Sequence, residues 1–243
     1  MTPSSPLVAA LSDYVASHES AMSPYAWKVS ELAWKTLGAD FDCEKYSNNF
    51  SQQNIALKRH LAKHWAVASL DEKIRVATWI VSDWGGIRRN SPMTILGYVN
   101  QADAQRPATP FFGISSYSKI LGIKDPDKYA VYDARVAASL NAIQLLLIRD
   151  GKLRSPDLLA FSVPPGRNET IKRFDSEAFP LALNRIGFTS IERNEIYSTY
   201  LAILRGVSLA IRKSILEVEM FLFAQADELC DEALPLARAI PTA

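Results

Sequence analysis

The sequence predicts an all-α fold, a bundle of about ten helices in two lobes with a central cleft, formed by a single domain over residues 1–243. Apolar residues recur every three or four positions along most of the chain, which is the spacing of an amphipathic helix. Neither apolar–polar alternation nor runs of β-branched residues exceed that pattern, so no strand is predicted. A hydrophobic content of 48% with five tryptophans indicates a globular protein that can bury a core.

Five helices are predicted before residue 106. The first covers residues 6–20, where Leu7, Leu11 and Val15 share one face. The second begins at Ser23-Pro24 and ends at Gly38, because proline favours the first turn of a helix and glycine favours its end. The others are predicted over 54–68, 70–84 and 94–105, with irregular connectors at 41–51 and 106–110.

The second half is predicted to begin with a long helix that Asp133 opens and Asp150-Gly151 closes. Val136, Leu140 and Ile143 share its apolar face. Turn-forming residues predict a loop over 163–168. The remaining predictions are helices at 115–121, 174–187, 190–212 and 214–229, a short segment at 155–161 and a frayed tail at 235–243.

The charge of the chain limits what it can bind. A net charge of +1 creates no global field that attracts nucleic acid or membranes, which argues against tight non-specific DNA binding. The segment from residue 85 to residue 135 contains seven basic and four acidic residues, which makes a weak local basic patch. No signal peptide and no apolar run of membrane-spanning length are present, so we expect a soluble, cytoplasmic protein with no membrane contact.

The cysteines and histidines predict no metal site. Cys43 and Cys230 are far apart and belong to no ligand motif, which argues against a zinc site or an iron–sulfur cluster and indicates a reducing compartment. His60 and His64 have the i, i+4 spacing of two ligands on one helix face, but no third ligand stands at a motif distance. No metal and no cofactor are therefore predicted.

The stretch from Phe112 to Val136 carries the main functional signal. A glycine and three serines precede a short apolar run and, placed before a helix, offer N–H groups and hydroxyls that suit a phosphate; they are Gly113, Ser115, Ser116 and Ser118. Lys119 is a candidate amine nucleophile at the start of one helical piece, and Asp133 stands at the start of the next. Alternatively, Lys119 lies on the surface or only holds phosphate, and Asp133 only caps its helix.

Two motifs in this stretch resemble a known family. They are Ser-x-x-Ser-Lys at residues 115–119 and Pro-x-x-Tyr-x-x-Tyr-Asp-x-Arg-Val at residues 126–136. The pattern resembles the helix-hairpin-helix DNA glycosylases, and most of all the small bacterial proteins of the 8-oxoguanine DNA glycosylase fold, some of which are associated with antiphage defence gene clusters. The resemblance covers the middle third, with the hairpin and catalytic segment at about residues 110–148. Gly113-Ile114-Ser115 stands where the family has Gly-Val-Gly.

The resemblance implies a glycosylase-like bundle and a DNA substrate. The enzyme would flip a modified guanine such as 8-oxoguanine out of the duplex. Lys119 would attack the sugar and Asp133 would stabilise the charge that grows there, with AP lyase activity following if the lysine is in register. The protein would act as a monomer in DNA repair or in antiviral defence, with defence proteins as further partners. The alternatives are a non-catalytic component that binds DNA or a modified base, and a helical interaction protein.

Further residues are candidates for holding DNA. Arg88 follows Trp84-Gly85-Gly86, where a tight turn could clamp phosphate or only end a helix. Arg167 and Asn168 follow a stiff Pro-Pro-Gly sequence, which could hold a base or be an ordinary connector. Arg135 could hold phosphate or pair with an acid. The aromatic candidates for stacking on a base, for which core packing is the alternative, are Trp84, Phe112, Tyr117 and Tyr132.

Overall fold

A computed structural model describes residues 3–18, 29–37, 41–42, 49–104 and 112–239. It confirms the all-α fold. The chain divides into two compact units. The central unit is the continuous stretch Pro24–Val131, and the outer unit combines Met1–Ser23 with Tyr132–Ala243. Within the described ranges no helix is both long and apolar enough to cross a bilayer.

The described residues of the central unit form five α-helices. Asn49 caps the first turn of α3, and Ser69 and Glu72 form a reciprocal capping box at the start of α4. A π-helical turn, Ile80–Trp84, extends α4, and Ser91 caps α5 with Pro92 in its first turn. The bounds are α2 Glu31–Leu37, α3 Phe50–Val67, α4 Leu70–Trp79, α5 Pro92–Asp103 and α6 Ile114–Lys124.

Helix α6 lies along α5 and packs against α3. The Asn90 amide, just before α5, donates to the Ser116 hydroxyl in the first turn of α6 at 2.8 Å. Near the other end, the Lys124 amine donates to the Ala102 carbonyl. Each end of α6 therefore lies beside the corresponding end of α5, and residues 104–113 connect the two helices.

Gly113 is needed at the start of α6 for two reasons. Its φ of +76° lies in the left-handed region, and a Cβ there would stand 2.0 Å from the Tyr98 hydroxyl oxygen. Gly113→Ala is expected to lower the free energy of unfolding by about 1–2 kcal/mol because of the left-handed backbone alone. The steric clash of the new methyl group with the Tyr98 hydroxyl should lower it further. Chemical denaturation would measure the loss.

A matched control separates the two effects. Gly151 has a similar φ of +68°, but a Cβ placed there would meet no atom of the described residues within 4 Å, so Gly151→Ala should show the backbone cost alone. In a Tyr98→Phe background the additional loss in Gly113→Ala should shrink. Equal losses for the two glycine variants would contradict the proposed steric contact.

The outer unit is built around α7, which is buried along nearly its whole length. Helix α12 packs along it, α11 covers another part, and α1 packs against α10 and α7. The bounds are α1 Ser5–His18, α7 Ala134–Arg149, α8 Glu169–Arg173, α9 Phe179–Ala182, α10 Ile196–Ile211, α11 Ile215–Ala224 and α12 Ala226–Ala239. Two π-helical turns, Phe174–Ala178 and Leu183–Gly187, follow α8 and α9 directly, so that these four elements form one continuous helical stretch. Residues Ser155–Asp157 form a short 3₁₀ turn.

The prediction that the chain has no strand is wrong in one detail. Leu159–Ala160 (β1) pairs in parallel with Thr189–Ser190 (β2). Two buried amides on α7 fix this segment: Gln144 exchanges two hydrogen bonds with the backbone of Leu159 and Asn141 exchanges two with Phe161, all at 2.8–2.9 Å. Side chains therefore complete the backbone pairing of a segment that has no strand pattern of its own.

Several predicted boundaries need correction. The tail predicted to fray from residue 235 is helical to Ala239, because α12 continues through Pro235. The helix predicted at 214–229 is two helices that break at Gln225, and the one predicted from Ser190 begins at Ile196. The predicted irregular stretch 41–51 gives way to α3 at Phe50. The predictions for residues 19–28, 38–40, 43–48, 105–111 and 240–243 lie outside the described residues.

Candidate functional site

Lys119 lies in the second turn of α6 and is buried, with 3% of its surface exposed. The prediction that it stands at a helix start is wrong, because α6 begins five residues earlier at Ile114. Its amine donates to the Ser115 carbonyl one turn before it, at 2.9 Å. The structure therefore rules out the alternative that Lys119 is a surface lysine.

The Trp84-Gly85 corner forms one wall around the Lys119 side chain. The amine of Lys119 lies 6.0 Å from the centroid of the Trp84 ring, which is the distance of a cation–π contact. Gly85 has an ordinary φ of −84°, but a Cβ there would stand 2.6 Å from Cε and 2.8 Å from Cδ of Lys119. The absence of a side chain at Gly85 thus makes room for the lysine.

Gly85→Ala is expected to lower the free energy of unfolding by about 1–3 kcal/mol, because the new methyl group overpacks the Lys119 side chain and the Val81 carbonyl. The matched control is Gly97→Ala in α5, where a new Cβ would meet no described atom within 4 Å, and this variant should be neutral or stabilising. Thermal melts of the two variants test the expectation. Equal melting temperatures would show that Lys119 does not pack on Gly85.

A second buried lysine was missed by the sequence analysis. Lys58 on α3 is 1% exposed, and its amine lies 5.6 Å from the centroid of the same Trp84 ring. The sequence does contain an indication of its burial: Lys58 lies on the face of α3 where buried residues recur every three or four positions from Asn54 to Trp65. Two lysine amines therefore flank one buried indole.

Asn54 completes this group. Its side-chain oxygen accepts a hydrogen bond from Nε1 of Trp84 at 2.9 Å, which fixes the orientation of the indole. Its side-chain nitrogen is buried and has no hydrogen-bond partner among the residues that the structure describes. Trp84 itself is 2% exposed, so it packs in the core instead of presenting its face to solvent.

The predicted phosphate-holding residues divide into exposed and buried ones. Gly113 is exposed and Ser115 is half-buried, whereas Ser116 and Ser118 are buried inside α6. The prediction that the serines precede the helix is wrong, because all three lie within it. The Ser116 hydroxyl accepts a hydrogen bond from the Asn90 amide, which links the turn before α5 to α6. Arg88 lies exposed in that turn.

Asp133 caps α7 in the outer unit. One carboxylate oxygen accepts from the backbone N–H groups of Arg135 at 3.0 Å and Val136 at 3.4 Å, which confirms the predicted capping role. The residue as a whole is half-buried. Gly166 packs against this helix start, since a Cβ there would stand 2.8 Å from that of Ala134.

A cluster of three buried tyrosines lies next to Asp133. The Tyr132 ring contacts those of Tyr197 and Tyr200, and its hydroxyl donates to the Ser162 carbonyl at 2.8 Å. Burial, and after it the charge of Asp133, raises the pKa of Tyr132 above its ordinary value. Burial, followed by the charge of Glu219, raises the pKa of Tyr200 well above its ordinary value. Tyr132 is therefore a neutral core residue that cannot stack on a base from the surface.

Arg135 pairs with an acid, which is one of its two predicted roles. Its guanidinium donates to the Asp227 carboxylate and to the Phe223 carbonyl, both at 2.8 Å. The Asn168 amide donates to the other oxygen of Asp227 at 2.6 Å, and its own oxygen caps α8. Arg167 is exposed beside it. Arg135 and Asn168 thus hold the 163–168 loop to the start of α7.

The predicted site residues form two groups. Lys119, Trp84, Arg88 and the residues at the start of α6 belong to the central unit. Asp133, Tyr132, Arg135, Arg167 and Asn168 gather around the start of α7 in the outer unit. The two catalytic candidates therefore belong to different compact units.

Within the described part of the chain, no three side chains of His, Cys, Asp or Glu are grouped as metal ligands. The His60 ring contacts the Phe41 ring in a tilted arrangement, with ring centroids 5.5 Å apart. Cys230 is buried in α12, and burial raises the pKa of its thiol to about 12. Cys43 lies outside the described residues.

Comparison of the chain with protein-family models, with curated proteins and with solved structures gave no match. The functional argument consequently rests on the residues and their surroundings.

Proposed function

We propose that the protein is a DNA N-glycosylase in which Lys119 is the amine nucleophile. The observation that carries this proposal is the burial of Lys119 between the Trp84-Gly85 corner and its own helix. Lysine is almost never fully buried unless it is paired, and a lysine amine can act as the nucleophile in covalent catalysis. A second buried lysine, Lys58, lies beside the same indole.

The proposed reaction begins when the lone pair of the neutral Lys119 amine attacks C1′ of the flipped nucleotide. The bond from C1′ to the base breaks, its electron pair leaves with the base, and the base takes up a proton. Loss of a proton from nitrogen and opening of the sugar ring then give a protonated Schiff base and a hydroxyl at C4′. Removal of a C2′ proton expels the 3′ phosphate, which cuts the strand. If water attacks instead, only the base is released.

In this proposal Asp133 supplies the negative charge that stabilises the sugar as the glycosidic bond breaks. Support comes from its carboxylate, which the two capping N–H groups hold in one orientation. The substrate class, a modified guanine such as 8-oxoguanine, comes from the sequence resemblance. The biological setting would be DNA repair or antiphage defence.

A non-catalytic binding protein is the second candidate. It is favoured by the hydrogen bond from the Lys119 amine to the Ser115 carbonyl, which gives the lysine a structural partner. In this case the protein would bind DNA or a modified base as a component of a defence system, without forming a covalent bond to the sugar.

Borohydride reduction tests the two candidates directly. A Schiff base is reduced to a stable amine, so wild-type protein incubated with an 8-oxoguanine duplex and borohydride should migrate as a covalent protein–DNA adduct. An unmodified duplex of the same sequence is the control. Release of the base without an adduct would support glycosylase activity and would identify water, not Lys119, as the nucleophile. Binding without either product, on 8-oxoguanine and on a panel of other modified guanines, would favour the binding protein.

A further inference from the structure

We propose that the central unit carries a binding surface for a DNA strand, in which Phe112 stacks on an unpaired base while Arg88 and Arg89 contact the phosphates beside it. We call these three residues the strand-binding surface. The inference deepens the proposed function by locating where the strand is held, and it rests on that function only in taking DNA as the ligand.

The choice of Phe112 follows from exposure. Of the four aromatic residues that the sequence offers for stacking, Trp84, Tyr117 and Tyr132 are buried in the core. Phe112 is 77% exposed, which is unusual for so large an apolar side chain. An exposed aromatic ring can stack on any base, because every base has a π face.

The backbone holds Phe112 in a defined place. It directly precedes Gly113, whose left-handed conformation turns the chain into α6 and lies against the Tyr98 side chain. The carbonyl of Gly113 accepts from the N–H groups of Ser116 and Tyr117, so the turn is part of the helix start. The backbone of Phe112 therefore directly adjoins an ordered helix start.

The chain segment that carries the two arginines is hydrogen-bonded to that helix start through the next residue, Asn90. The Asn90 amide, next to Arg89 in the chain, donates to the Ser116 hydroxyl at 2.8 Å, and Ser116 bonds back to Gly113. Both Arg88 and Arg89 are exposed, as is one acid nearby in the chain, Asp83. The balance remains positive, which is the charge that a phosphate backbone requires.

The physical consequence is a preference for DNA with an unpaired base. Stacking on Phe112 requires a base that is free of its partner, whereas phosphate contacts to Arg88 and Arg89 form with any strand. The strand-binding surface should therefore bind single-stranded or gapped DNA more tightly than an intact duplex. Its affinity should fall with salt.

The test uses the full chain with the Lys119→Gln substitution, so that binding is measured without chemistry. Fluorescence anisotropy would report dissociation constants for labelled single-stranded DNA, gapped duplex and intact duplex. Phe112→Ala should weaken binding of the first two by roughly five- to hundred-fold and change intact duplex by much less. Phe112→Trp should retain tight binding. Leu209→Ala, which removes an 81% exposed apolar side chain of the outer unit, is the matched control.

The arginines give a separate signature. The Arg88→Ala/Arg89→Ala double variant should weaken binding to all three DNAs and reduce the slope of log K against log salt by about 0.7 per lost contact on single strands. Arg154→Ala, at an exposed arginine of the outer unit, should leave the slope unchanged. Equal binding of all DNAs by Phe112→Ala and the control, or an unchanged salt slope in the double variant, would overturn the surface. Failure of adduct formation alone would overturn only the nucleophile.

Discussion

Lys119→Met is expected to abolish the borohydride-dependent adduct while the protein stays folded. The substitution removes the amine that attacks C1′ but keeps a flexible apolar side chain of similar length against Gly85 and Trp84. Methionine has a similar volume, but the Ser115 carbonyl loses the hydrogen bond from the amine, which costs about 1 kcal/mol. We therefore expect a slightly lower melting temperature, and no adduct to be detectable on a denaturing gel.

Lys58→Met is the matched control for this experiment. Lys58 is buried to the same degree and its amine lies at a similar distance from the Trp84 ring. Its loss should leave Lys119 in place and able to form the adduct. An adduct that persists in Lys119→Met and disappears in Lys58→Met would assign the nucleophile to Lys58 instead.

Asp133→Asn is expected to slow base release by about 10²- to 10³-fold with little loss of stability. Asparagine caps a helix as well as aspartate does, so the hydrogen bonds to Arg135 and Val136 can be retained. The negative charge, which the proposal assigns to stabilising the sugar, is lost. Single-turnover base release and chemical denaturation of the same preparation would separate the two effects.

Asp133→Ala provides the comparison that isolates the cap. It removes both the charge and the capping oxygen, so it should lose the same activity and about 1 kcal/mol of stability in addition. If Asp133→Asn releases base at the wild-type rate, then Asp133 acts only as a cap. The proposed charge stabilisation would then have no support.

Local chemistry explains which parts of the site could be predicted from the sequence. Helix-start signals depend on a few neighbouring residues, and so Asp133 was correctly predicted as the cap of α7 and Gly113 was placed at the start of α6. The helical pattern likewise predicted an all-α fold. The serine-rich sequence misled the assignment of Lys119, because serines inside α6 look like serines before it.

The rest depends on partners that are distant in the sequence. Arg135 finds Asp227 after 92 residues, and the pairing of β1 depends on amides of α7 that no strand pattern reveals. By residue type alone, Lys58 would be assigned to the solvent-facing side of α3, although it lies on the same helix face as the buried residues. Burial, which separates Phe112 from the other aromatic candidates, follows from packing and not from residue type.

The division of the chain also constrains the order in which the protein is made. The central unit is one continuous stretch, whereas α1 of the outer unit packs against α7 and α10, which are synthesised much later. Because the chain leaves the ribosome from its N-terminus, the central unit can form its internal contacts before the helices that pack against α1 have been synthesised. The outer unit is completed only when the C-terminal helices emerge, so a premature stop in α10 would leave α1 without the full set of its contacts to α10.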